Sequence, residues 1–312
     1  MLKIEALTTE MRNEKSMNID QLSTREILET INDEDKKVAG CVEAVLPEIA
    51  ATVDIVYQSL LNGGRLIYVG AGTSGRLGIL DAVECPPTYR TSPELVQGIM
   101  AGGSRALVEA VEGAEDDPHL GAQDLGAKNL TNHDVVVAIA ASGRTPYVVG
   151  ALQYAKKIGA KTISLSSNQD SIISKYSDIA IEVLTGPEVL TGSTRMKAAT
   201  SHKLVLNMIT TSSMIKLGKV YENLMVDVNA SNVKLKERAK NIVSTITKEP
   251  YNKVEQILEI TNYEVKPAIV MIKAAVNLEV AKESIKLTNG FVREAIEVAQ
   301  QAVNLNSDYG KG

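Results

Sequence analysis

The sequence predicts an α/β fold: a doubly wound, parallel, five-stranded sheet followed by a small C-terminal all-helical domain. Three observations predict it. Five short apolar runs alternate with helical segments between residues 65 and 183, and parallel strands need such crossovers. Two of those runs end in loops of the same glycine- and hydroxyl-rich character, GAGTSG at 70–75 and ASGRT at 141–145. Beyond residue 226 no run reads as a strand.

Taken in order, residues 1 to 22 are polar and read as a loose arm. Ser23-Thr24-Arg25-Glu26 has the form of a capping box. Helical periodicity then continues through Val42, Val45, Leu46 and Ile49 to Leu61, where Asn62-Gly63-Gly64 stops it. Arg65 to Val69 is the first strand; the helix after it is expected to end before Pro86-Pro87. Leu95 to Ala101 is the second strand, with a helix around Arg105 to Val111. Asp134 to Ala140, Lys161 to Leu165 and Ile179 to Val183 are the third, fourth and fifth. A long helix is expected from Thr194 to Lys216, capped by Ser193. A helix rich in Lys and Arg and three short amphipathic helices follow, with stops near Pro250, Pro267 and Gly290. This divides the chain into an arm and helix over 1–39, a sheet domain over 40–225 and a helical domain over 226–312.

Composition excludes several functions. With 44% hydrophobic and 23% charged residues, the chain can bury a sizeable core. A net charge of -5 with no dense basic run argues against nucleic acid, as does the absence of Trp and the single Phe. Zinc spacings such as CxxC and HExxH are absent, so no metal and no cofactor are expected. Cys41 and Cys85 cannot build a disulfide framework. Without a signal-peptide core or a long apolar span, a cytoplasmic location and no membrane partner are expected.

The two loops carry the first chemical signal. Gly72, Gly75 and Gly143 let the backbone turn tightly, while Thr73, Ser74, Ser142 and Thr145 add hydroxyls. A helix starts after each, and its free N–H groups and dipole favour a phosphate. The alternative is two ordinary capped turns. A dinucleotide site fits less well, because no acidic residue about 20 positions on ends a second strand, and a Walker lysine is missing. A third polar cluster, Gly186-Pro187-Glu188 to Thr191-Gly192-Ser193-Thr194-Arg195-Met196-Lys197, offers Ser193 as a cap and Arg195 and Lys197 as positive charge. Glu112 and Glu115, spaced i and i+3, would share a helical face, making Glu112 a candidate for sugar hydroxyls.

Five blocks carry a resemblance: LIYVGAGTSGRLGILDAVECPPTY (66–89), AVEGAED (110–116), AASGRTPYV (140–148), GPEVLTGSTRMKAAT (186–200) and NLMVDV (223–228). The chain resembles the N-acetylmuramic acid 6-phosphate etherase family of the sugar isomerase (SIS) fold superfamily. The GPE…GSTRMK block is shared with glucokinase regulatory proteins; ECPPTY and VEGAED point more sharply at the etherases. The resemblance implies cleavage of the C3 ether to N-acetylglucosamine 6-phosphate and D-lactate, in cell-wall sugar recycling. It assigns Glu84 as the acid that releases lactate and Glu115 as the base at C2. The C-terminal helices resemble that family's small ubiquitin-associated-like tail. Two other readings stay open: an aldose–ketose sugar phosphate isomerase, and a non-catalytic regulator that senses sugar phosphate.

Helix length adds a geometric expectation. From Gly75 to Glu84 a continuous helix rises about 14 Å at ~1.5 Å per residue, too far for a hexose 6-phosphate to bridge. The site is therefore expected to be shared across a homodimer, Glu84 coming from the partner.

Overall fold

The computed structural model describes residues 7–309 apart from 110, 112, 229 and 231, with 304–309 described by backbone alone. The chain divides into two compact units, Met1–Val83 with Pro93–Thr211 and Glu84–Ser92 with Ser212–Gly312.

In the first unit the capping box forms at Ser23 and Glu26 and starts α1, Thr24–Asp35. The helical pattern predicted to run on to Leu61 is broken twice, giving α2, Val38–Glu43, and α3, Leu46–Leu61. Pro47 explains the second break: it has no N–H to give to a preceding turn, but its fixed φ suits the start of a new helix. Next come β1, Leu66–Gly70; α4, Gly72–Tyr89; β2, Val96–Met100; α5, Pro118–Gly126; β3, Val135–Ile139; and α6, Pro146–Ile158. The unit continues with β4, Lys161–Ser166, β5, Ile179–Glu182, and α7, Lys197–Lys216, which it holds as far as Thr211. Every predicted strand is present to within a residue at each end. The strands are parallel in the order β2-β1-β3-β4-β5.

Ile67, Val69, Val136 and Ala138 pack with Leu125 of α5 and Tyr147, Val148 and Leu152 of α6. The alternate residues Leu66, Tyr68, Val135, Val137 and Ile139 are buried too. Burial on both faces is why the strands read as unbroken apolar runs rather than alternating ones.

Two expectations are corrected here. The helix predicted over 105–111 is a short 3-10 helix, Gly103–Leu107, entered through Gly102 in the left-handed region. The N-terminal segment is not loose from residue 7 onward. It forms three 3-10 turns and is tied to the loops beyond β4 and β5. Thr8 Oγ1 donates to Asn168 Oδ1 (2.8 Å), and Ser16 Oγ to the Val189 carbonyl (2.7 Å). Polar side chains paired with loop carbonyls leave no hydrophobic period to read.

In the second unit β6, Val220–Tyr221, pairs antiparallel with β7, Leu224–Met225. Five helices follow among the described residues, where four were predicted. They are α8, Val233–Thr247; α9, Tyr251–Ile260; α10, Val265–Ala274; α11, Leu278–Leu287; and α12, Val292–Tyr309. Val243, Val254, Leu258, Ile269, Ala281 and Ala295 centre their core. Pro267 does not stop a helix; it lies in the first turn of α10, where an N–H would have no intrahelical acceptor.

Candidate active site

The strand order fixes where a ligand can sit. From β1 the chain crosses to β2 on one side, and β3 then joins β1 on the other. Between β1 and β3 the order reverses, and open α/β sheets bind ligands at that switch point, beyond the carboxyl ends of the strands. Gly70 pairs with Ile139 in register, so the two hydroxyl-rich segments leave neighbouring strand ends at the same level.

After β1 there is almost no loop. β1 ends at Gly70 and α4 begins at Gly72, so Thr73, Ser74 and Gly75 form the first helical turn. Gly75 is required by close approach: a Cβ there would stand 2.5 Å from the Met100 Cβ and 2.9 Å from the Gly70 carbonyl oxygen. The hydroxyls of Thr73 and Ser74, both half-buried, stand at the positive end of α4, whose hydrogen-bond ladder starts with the Gly75 N–H donating to the Ala71 carbonyl (3.2 Å).

After β3 the turn is held from several sides. Gly143 takes φ +69°, and a Cβ on it would collide with Ser171. Asn168 Nδ2 donates to the Ala141 carbonyl (3.0 Å), and the Arg144 N–H donates to Ser142 Oγ (3.3 Å). Thr145 is the N-cap of α6 and makes no side-chain cap bond. Pro146 has no N–H and the Val148 N–H already donates to the Thr145 carbonyl (3.0 Å), so this helix start offers an anion its dipole more than a row of free donors. Arg144 was passed over in the sequence. Its Nη1 is buried without a hydrogen-bond partner among the described residues, on the same turn as Ser142 and Thr145.

The third cluster differs from expectation. α7 starts at Lys197, not Thr194, and Ser193 does not cap it. The buried Glu188 carboxylate does, accepting from the N–H groups of Lys197 and Ala198 at 3.0 Å each. Lys197 is buried and its Nζ lies 2.6 Å from Glu34 Oε2. The ammonium offered for a substrate anion is thus committed to a carboxylate of α1. Arg195 is exposed and Ser193 half-buried.

Glu84 is exposed on α4, and the helix does not end at the prolines. It continues through Pro86 and Pro87 to Tyr89, because the lost donors fall in its last turn and buried Cys85 and Tyr89 hold that turn. The Arg90 N–H closes it on the Pro86 carbonyl (2.9 Å). One turn before Glu84, buried Asp81 accepts from Tyr68 (2.8 Å), Asn207 (2.7 Å) and Thr210 (3.2 Å), locking α4 to β1 and α7. Burial pushes its carboxyl above the ordinary range.

Glu115 is exposed in a 3-10 turn, Ala114–Asp116, that packs against α6. Glu112, the other member of the expected i, i+3 pair, lies outside the described residues; Gly113, which precedes the turn of Glu115, is left-handed at φ +78°. Arg76 ties this region to α4 through the carbonyls of Leu107 (3.2 Å) and Glu109 (3.4 Å).

Residues 48–156 match the glucokinase regulatory protein N-terminal SIS domain, and residues 117–212 match the SIS domain. A protein of Bacillus subtilis (strain 168) named N-acetylmuramic acid 6-phosphate etherase is 56% identical, covering 95% of this chain and 97% of its own. One of the same name from Photorhabdus laumondii is 54% identical, covering 96% and 99%. Among solved structures, a phosphoheptose isomerase from Neisseria gonorrhoeae is 19% identical with a TM-score of 0.48, covering 61% of this chain and 98% of that one.

Proposed function

The chain belongs to the N-acetylmuramic acid 6-phosphate etherase family, and we propose that Glu84 and Glu115 divide the proton transfers of that reaction at the sheet edge. The observation that carries this reading is the near full-length similarity to etherases, with both glutamates standing in their blocks.

The enzyme is a carbon–oxygen lyase acting on a sugar 6-phosphate. The phosphate is received by the turns of Thr73, Ser74 and Gly75 and of Ser142, Gly143 and Thr145, with Arg144 and Arg195 as further positive charge. In the open-chain sugar the C1 aldehyde acidifies the C2 proton. Glu115 takes that proton and the electron pair moves toward the aldehyde oxygen as an enolate. The enolate collapses, the C3–O bond breaks, and Glu84 protonates the departing lactyl oxygen. An unsaturated aldehyde remains. Water activated by Glu84, now a carboxylate, adds at C3, and Glu115 returns a proton to C2. The substrate gains one water in total and neither glutamate is consumed.

Incubation with N-acetylmuramic acid 6-phosphate is expected to release D-lactate. In ¹⁸O-water the label enters the C3 hydroxyl of the sugar product and not the lactate. An isomerase or a sensing protein would release no lactate, and label in the lactate would refute elimination. Ser74→Ala and Ser142→Ala are each expected to raise KM about tenfold with kcat nearly unchanged, as loss of a charge-assisted hydrogen bond to phosphate requires.

The active site is shared between two copies of the chain, a reading supported by the length of α4 between Gly75 and Glu84. Mixed under conditions of subunit exchange, the inactive Glu84→Ala and Glu115→Ala variants then form hybrids with one intact site in two. About a quarter of wild-type activity should return at equal mixing. Exchange without recovery would place both glutamates of a site in one subunit. A reducing cytoplasm is the expected location, supported by two cysteines that form no disulfide and no described helix long and apolar enough to cross a membrane.

A further inference from the structure

The second unit contains a cavity of about 360 Å³, at the lower end of ligand-site sizes. Its charged lining is unbalanced: Arg90, Lys219, Lys266 and Lys282 face only Asp227 and Glu264. Each carboxylate is already shared by two cations. Lys219 and Lys266 reach the same oxygen, Asp227 Oδ2, at 3.1 and 2.7 Å. Glu264 meets Arg90 at 3.7 Å and Lys282 at 3.1 Å. Two positive charges are therefore left over in a partly enclosed space. The Lys266 side chain is only 9% exposed, and its burial, aided by Lys219 and opposed by Asp227, pulls the ammonium below its ordinary range.

The first turn of α10 forms another wall. Its N-cap, Glu264, makes no side-chain cap bond, its carboxylate being drawn to Arg90 and Lys282 instead. The positive end of a ten-residue helix thus adds to the cationic excess. Val226 and Ile285 supply an apolar surface beside it. Asp227 belongs to the NLMVDV segment, which the chemistry at the sheet edge does not use.

We propose that this cavity is a second anion site, built for a compact phosphate monoester whose organic part lies against the apolar wall. With Lys219 and Lys266 at Asp227 and Arg90 and Lys282 at Glu264, the excess of two positive charges is held within one compact space. That arrangement suits a tetrahedral dianion better than a dicarboxylate with its charges spread along a chain. The site is additional to the one at the sheet edge and does not depend on the etherase reading.

The test uses inorganic phosphate as the probe and calorimetry on the full chain. In protein carrying Ser74→Ala and Ser142→Ala, which weaken the sheet-edge site, one phosphate per chain is expected to remain. Adding Lys282→Glu at a half-exposed position should weaken that event at least tenfold, whereas Lys282→Arg should keep it. Lys282→Glu alone should release D-lactate at the wild-type rate under saturating substrate. No phosphate bound by the double serine variant would overturn the proposal. So would binding indifferent to Lys282→Glu, or malate held more tightly than phosphate. Two phosphates bound undiminished by the serine variant would count against the sheet-edge reading alone, and Lys282→Glu must then still remove one of them.

Discussion

Replacing Glu115 by Gln is expected to lower D-lactate release roughly 10²- to 10⁴-fold, the range for loss of a positioned general base. The isosteric amide keeps the shape of the turn at Ala114–Asp116 and removes only the basic oxygen. Glu84→Gln is expected to reduce lactate release by a similar factor, but the two variants should differ in deuterium oxide. With Glu115 intact, Glu84→Gln still abstracts the C2 proton and returns a solvent deuteron, so the recovered substrate becomes labelled at C2. Glu115→Gln should give neither lactate nor exchange. The pattern follows from placing Glu115 at the first step and Glu84 at the second. Exchange in Glu115→Gln but not in Glu84→Gln would reverse the assignment. Loss of exchange in both would mean that proton abstraction and ether cleavage are one step.

The strands and the two hydroxyl-rich turns were legible because each is written locally. VVVAI is unbroken because Val135–Ile139 is covered on both faces, and the glycines of 70–75 and 141–145 mark backbone that must turn sharply. What stayed hidden depends on partners far along the chain. Nothing near Lys197 says that its ammonium meets Glu34, 163 positions away. Nothing near Ser193 says that Glu188 folds back to cap α7 and leaves the serine without that task. The same holds for the N-terminal arm, whose polarity reads as freedom until Asn168 and the Val189 carbonyl are found beneath it. Pro86 and Pro87 failed as stop signals for another reason: near the end of α4 few turns remain for their missing donors to disturb. Glu84 therefore stands within a continuing helix rather than at its terminus.

Lys197→Met is expected to destabilise the fold by about 3 kcal/mol, the cost of leaving a buried carboxylate short of its main partner. Glu34 is nearly inaccessible. Burial alone would raise its carboxyl, but hydrogen bonds from Lys197 and Lys37 override that and hold it at about 2 rather than its ordinary 4.5. Lys37 remains in the variant, which keeps the loss at the lower end of the range. A carboxyl held below its ordinary value contributes stability above that value and loses it as pH falls toward the folded-state value. Wild-type stability from this pair should therefore decline between about 4.5 and 2. The gap between wild type and Lys197→Met, measured by urea denaturation, should be widest at neutral pH and narrow through that window as Glu34 becomes neutral. Combining Glu34→Leu with Lys197→Met removes both charges together and should restore most of the loss, since an apolar pair of similar volume replaces a buried ion pair at little cost. If Lys197→Met were as stable as wild type but bound sugar phosphate far more weakly, Lys197 would instead belong to the ligand site and its pairing with Glu34 would be incidental.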